Sequence, residues 1–159
     1  MGMMFVLAAD AAAAERLQFA IPPGWSPDAA EAKSRQADVY AVDTKGQPPA
    51  EMTGLRIPTP MFADDAFVRG FVRGLKKSTP GLVEVKHDFI DIGGQRAVRL
   101  IADVTSDGES YRQAYYVMPA GGEAACLQFT VARAAFDARL TAFDAIAKAT
   151  RGVAQSAGR

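Results

Sequence analysis

The sequence predicts an α+β fold: an antiparallel sheet of about six or seven strands sandwiched by helices in an α-β-α arrangement. Three observations carry this. Consecutive period-two apolar segments between residues 83 and 132 are separated only by short glycine-containing turns. Strands joined that tightly pair antiparallel, because a parallel neighbour needs a crossover of about a dozen residues or more. Two further segments, 65–77 and 136–151, repeat apolar residues every three or four positions, as helices with one buried stripe do. Finally, 159 residues make one domain's length, with no internal repeat or linker.

Taken in order, Leu17, Phe19 and Ile21 alternate with Gln18 and Ala20 and predict a first strand, which Pro22 ends. The turn over 22–27 holds Gly24 and three prolines, and Trp25 within it is expected to fold back onto the core. A second strand is expected over 36–42, a turn-rich connection over 45–49, and a third strand over 53–57 ended by Pro58 and Pro60. Asp64 is the N-cap of the first helix, over 65–77, and Asp65 suits its positive dipole end. Phe67, Val68, Phe71, Val72 and Leu75 form the stripe that packs on the sheet. Gly70 and Gly74 lie on the same helix, at a cost of about 1 kcal/mol each relative to alanine, which predicts a close approach of backbone to sheet.

Val83, Val85, His87 and Phe89 share the apolar side of a fourth strand. After the turn at Gly93-Gly94, a fifth runs over 95–105 with Val98, Leu100, Ala102 and Val104 on one side. Asp107-Gly108 is a strong hairpin turn into a sixth strand over 110–118. The turn over 119–122 leads to a seventh over 125–132, with Leu127, Phe129 and Val131 facing the core. The closing helix, 136–151, buries Phe136, Leu140, Phe143 and Ile146, with Lys148 and Arg151 in its last turn and Gly152 as C′ residue. Residues 15–152 thus form a single α+β domain, and 153–159 a frayed tail.

Residues 1–14 combine a short apolar run with an A-x-A pattern at 12–14, resembling the end of a secretory signal peptide. The charged n-region is missing and Asp10 interrupts the run, so the expectation is a truncated signal peptide or a disordered leader. On the first reading the mature protein begins near Glu15 and is periplasmic or secreted; on the second it is cytoplasmic.

Composition closes several routes to function. Eighteen basic residues balance eighteen acidic ones, so no global field draws the chain to nucleic acid or an anionic membrane. No stretch reaches the ~20 apolar residues of a membrane span. The single Cys126 excludes an intramolecular disulfide, and the single His87 argues against a histidine-based metal site. His87 on an apolar strand reads as a hydrogen-bonded structural residue, and Cys126, at the start of a core strand, as a small hydrophobe. Asp88 with Asp91, and Asp103 with Asp107, flank turns and lack the spacing of a calcium loop. The Gly93-Gly94 and Gly121-Gly122 pairs lack the strand-to-helix setting of a phosphate loop. No catalytic residue, cofactor or metal site is therefore expected.

The sequence Phe19-Ala-Ile-Pro-Pro-Gly-Trp25, the Tyr115-Tyr116-Val117 run, the strand 127–131 and the closing helix, in that order, resemble the PsbP/Mog-like superfamily. The superfamily includes PsbP proteins of photosystems, the Mog nuclear import factor, the envelope protein DcrB and Eag-type chaperones of secreted effectors. The resemblance spans nearly all of residues 17–151 and implies an α-β-α sandwich with a non-enzymatic accessory role. It assigns no functional residue, since one fold serves many surfaces.

Two surfaces remain as candidates. Arg69, Arg73 and Lys77, spaced by four and widened by Lys76, form a cationic row on the first helix. It reads either as a solvated face, with Asp65 pairing to Arg69, or as a docking surface for an acidic partner. Arg99, Asp103, Gln128 and Thr130 lie off the main apolar sides of their strands and, with Tyr116, would line a polar groove if the helices leave a sheet face open. The expected function is that of a non-enzymatic accessory protein of the bacterial envelope that binds another protein of unknown identity. The alternative is a cytosolic Eag-type chaperone that shields hydrophobic helices of a secreted effector, which requires an apolar groove.

Overall fold

The computed structural model describes residues 19–157, with side chains through residue 150. The leader at 1–14 and Leu17 lie outside the described residues. A seven-stranded sheet has the order β1-β2-β3-β7-β6-β5-β4, every neighbouring pair antiparallel. Its strands are β1 (Ser26–Pro27), β2 (Val39–Asp43), β3 (Ala50–Ile57), β4 (Val83–Ile92), β5 (Gln95–Ser106), β6 (Glu109–Ala120) and β7 (Glu123–Ala132). The helices are α1 (Ala29–Ser34), α2 (Asp65–Ser78) and α3 (Phe136–Ala157), the last entered through a 3-10 turn at Arg133–Ala135. Strands β4 to β7 fold hairpin by hairpin, and β7 then pairs with β3. At the β5–β6 turn Asp107 and Gly108 both have positive φ, +52° and +79°, as a two-residue hairpin loop with the right twist demands.

Helices α2 and α3 pack on opposite sides of the sheet, each over its own core. On the α3 face Phe129 stacks on Phe143 with ring centroids 4.5 Å apart, and Tyr116 and Trp25 meet its ring edge-on. On the α2 face Val68 and Val72 are buried against Val98, Leu100, Val117 and Cys126, with Phe67, Phe71 and Leu75 half-buried around them. Asp64 caps α2, its Oδ1 accepting from the Phe67 N–H at 2.7 Å.

Several expectations are corrected. Phe19 to Ile21 form no strand. Their alternation arises because an extended segment lies over the α3 face: Phe19 crowds so closely on Gly54 that a Cβ there would sit 2.9 Å from its ring. Gly70 and Gly74 are exposed with nothing within 4 Å of a Cβ, so they bring no backbone to the sheet. Val83, Val85, His87 and Phe89 do not share one apolar side. A register shift between Glu84 and Lys86 inserts an extra residue, so Val83 and Val85 are 60% and 43% exposed while His87 pairs opposite Leu100. Helix α3 continues through Gly152 to Ala157, so Gly152 is not its C′ residue. The short β1 lies within the expected turn over 22–27, and helix α1 occupies a stretch for which no element is expected.

Candidate functional site

The cationic row lies on the solvent side of α2. Because Phe67, Val68, Phe71, Val72 and Leu75 turn toward the sheet, helical geometry sends Arg69, Arg73, Lys76 and Lys77 outward, and all four are exposed. Over the eight residue steps from Arg69 to Lys77 the row extends about 12 Å along the axis. Asp65 does not pair with Arg69; it faces Nε2 of His87 at 3.2 Å. Among the described residues no carboxylate lies within ion-pair distance of any of the four cations.

The five residues expected to line one groove are divided between the two faces. Arg99, Asp103 and Tyr116 lie on the α3 face, where their charges are consumed. Arg99 grips Asp88 with Nε and Nη2 and reaches Asp144 on α3 through Nη1 at 2.9 Å. Tyr116, fully buried, donates its hydroxyl to the same Asp144. Pairing, first with Asp88 and then with Asp144, raises the Arg99 pKa further, and burial pushes the Tyr116 phenol well above its ordinary range. Asp103 accepts from Arg112 Nε at 2.6 Å, which holds its carboxyl below the usual carboxylate range.

Gln128 and Thr130 lie on the α2 face, and there a groove does exist. Helix α2 covers the part of this face formed by Ala124, Cys126, Val117 and Leu100, leaving the part toward Thr130 uncovered. The register Val42–Glu51–Thr130–Gln113 forms a lateral row across β2, β3, β7 and β6, and this row floors a cavity of about 420 Å³. Val104 and Tyr111 stand at its side. Beside it the Tyr40 hydroxyl donates to Glu51 Oε1 at 2.8 Å, and burial together with that bond pushes the Tyr40 phenol up to about 12. Tyr115 donates to Gln113 Oε1, whose amide N–H in turn donates to Thr130 Oγ1 at 3.2 Å. Glu51, Gln113, Val42 and Tyr111 were not among the residues singled out from sequence. The antiparallel register is the signal that finds them, because Thr130 fixes which residue of each neighbouring strand shares its face.

The remaining reactive groups are held in structural roles. Cys126 is buried, and burial pushes its thiol up to about 12. His87 bridges Glu84 at 2.6 Å and Asp65, and those partners, Glu84 first, raise its pKa. Asp91 Oδ1 accepts from the Gly94 N–H in the β4–β5 turn. Among the described residues no three of His, Cys, Asp and Glu converge as metal ligands would.

No family model matches the chain, and no curated protein matches it by sequence. Solved structures do. The chain is similar to the cyanobacterial PsbP (CyanoP) of Synechocystis sp. PCC 6803, at TM-score 0.61 and 16% identity over 81% of this chain and 82% of that one. It is also similar to LpqN, involved in cell envelope biogenesis of Mycobacterium tuberculosis, at TM-score 0.51 and 19% identity, covering 82% and 79%. A Pseudomonas aeruginosa protein of unknown function, PA94, matches at TM-score 0.54 and 19% identity over 63% and 70%. These likenesses show the fold alone: the chain shares the α+β architecture of these solved structures, CyanoP among them.

Proposed function

We propose that the protein is a non-enzymatic accessory protein of the bacterial envelope that works by docking an acidic surface of another protein onto α2. The observation that carries this reading is a contrast in charge pairing. Arg99, Arg112 and Arg139 are each closed by a carboxylate of the same chain, whereas Arg69, Arg73, Lys76 and Lys77 stand exposed without one among the described residues. Clustered cations of this kind attract and orient a complementary partner.

Three further points support it. The similar structures include an envelope biogenesis protein and a PsbP, which favours a location outside the cytoplasm. No helix among the described residues is long and apolar enough to cross a membrane. Glu51, Thr130 and Gln113 interrupt the groove's apolar lining of Val42, Pro49, Val104 and Val131, whereas an effector-helix chaperone needs a continuous apolar one. The test is affinity capture of the protein from fractionated cells of its native host. The reading predicts an acidic partner recovered from the envelope fraction and lost when Arg69→Glu and Arg73→Glu are combined. Capture that survives this double reversal contradicts it.

A further inference from the structure

We propose that the groove on the uncovered part of the α2 face is a second binding site, specific for a lysine or arginine side chain carried on an extended peptide segment. It is separate from the cationic row and has the opposite charge. Among the described residues lining the cavity Glu51 is the only charged one, so the site attracts a cation and opposes an anion. One of its oxygens is fixed by the Tyr40 hydroxyl at 2.8 Å. The other makes a long ion pair with Arg35 Nη1 at 3.7 Å, but Arg35 is held more closely by Glu31 at 2.7 Å, so one cation serves two carboxylates and the 40% exposed Glu51 side chain keeps capacity for an incoming ammonium or guanidinium.

The rest of the lining fits the rest of such a segment. Val42, Val104 and the ring of Tyr111 offer apolar surface for the aliphatic stem of a basic side chain. The hydrogen-bond chain leaves donors for a peptide carbonyl. Gln113 spends its carbonyl on Tyr115 and one amide N–H on Thr130, which frees its second N–H and the Thr130 hydroxyl proton. A cavity of about 420 Å³ holds more than one side chain and falls in the usual size range of ligand sites.

The test is an amide-shift titration of the ¹⁵N-labelled full chain with three acetylated, amidated tripeptides: Ala-Lys-Ala, its norleucine counterpart and its glutamate counterpart. The lysine peptide is expected to give saturable shifts at Val42, Gln113 and Thr130, the other two to bind several-fold more weakly, and Glu51→Gln to weaken the lysine peptide about fivefold. Glutamine keeps an acceptor for Tyr40, and the peptide comparison in the unaltered protein depends on no variant. The double reversal at Arg69 and Arg73 is expected to leave the titration unchanged, so this site and the α2 docking surface fail or survive separately. Equal binding of the lysine and norleucine peptides, indifference to Glu51→Gln, or shifts confined to other surfaces would overturn the proposal.

Discussion

On the α3 face, Phe129 is enclosed by Phe143, Tyr116 and Trp25, and the extended segment with Phe19 and Ile21 covers the part of the sheet that α3 does not reach. Two arginines there are closed as well: Asp144 of α3 ties Arg99 and Tyr116, and Arg139 of α3 pairs with Asp43. On the α2 face the helix covers only part of the sheet, its outward cations lack carboxylate partners among the described residues, and a groove stays open beside Thr130. The difference teaches how one sheet serves two ends. Interactions satisfied within the chain hold the fold, and a surface left unsatisfied is available to a partner.

The comparison breaks most visibly at Phe129. Replacing this fully buried ring with alanine is expected to cost about 3–5 kcal/mol in urea unfolding, because it leaves a cavity between α3 and the sheet. Asp144→Ala comes next, at about 2–3 kcal/mol, since the Tyr116 hydroxyl loses its acceptor and Arg99 keeps only Asp88. Phe71→Ala, on α2 and half-buried against Tyr115 of the sheet, should cost about 1–2 kcal/mol by the same assay. A loss at Phe71 as large as that at Phe129 would contradict the asymmetry between the faces.

A smaller effect sharpens it by pH. The His87 pKa is raised in the fold by Glu84 and then Asp65, so its stabilisation is fully present below the unfolded value near 6.5. It fades as pH rises through the higher folded value. His87→Gln should therefore lower the melting temperature more at pH 5.5 than at pH 8.5, by an effect within about 1 kcal/mol for so exposed a site. Smallest of all, the Arg69→Glu and Arg73→Glu pair should shift stability by no more than about 0.5 kcal/mol, since both side chains are exposed and touch no carboxylate among the described residues.

Much of this architecture is legible in the sequence. Strands β4 to β7 follow from period-two burial between short turns, and α2 from Asp64 and its stripe. What escapes depends on long-range pairing. Phe19 and Ile21 alternate like a strand because Phe19 lies across Gly54 and Ile21 packs on the same core, not beside a partner strand. The extra residue between Glu84 and Lys86 cannot be seen in the alternation of β4 alone. Helix α1 had a readable signal, Asp28 three residues before Glu31, whose N–H it caps at 2.9 Å. For the groove, alternation within β5 and β7 marks polar positions but not their side of the sheet. The register Ala102–Gln113–Thr130 shows that the apolar side of β5 and the polar side of β7 share one face, so Arg99 and Thr130 point apart.

The most direct test of the division between faces is a matched pair of charge reversals read by partner capture. One variant carries Arg69→Glu and Arg73→Glu on α2; the other carries Lys86→Glu and Lys148→Glu, exposed cations on the α3 side. The account predicts that both fold with wild-type melting temperatures and that only the α2 variant loses the captured partner. Equal retention by the two variants, or loss confined to the α3-side variant, would contradict it.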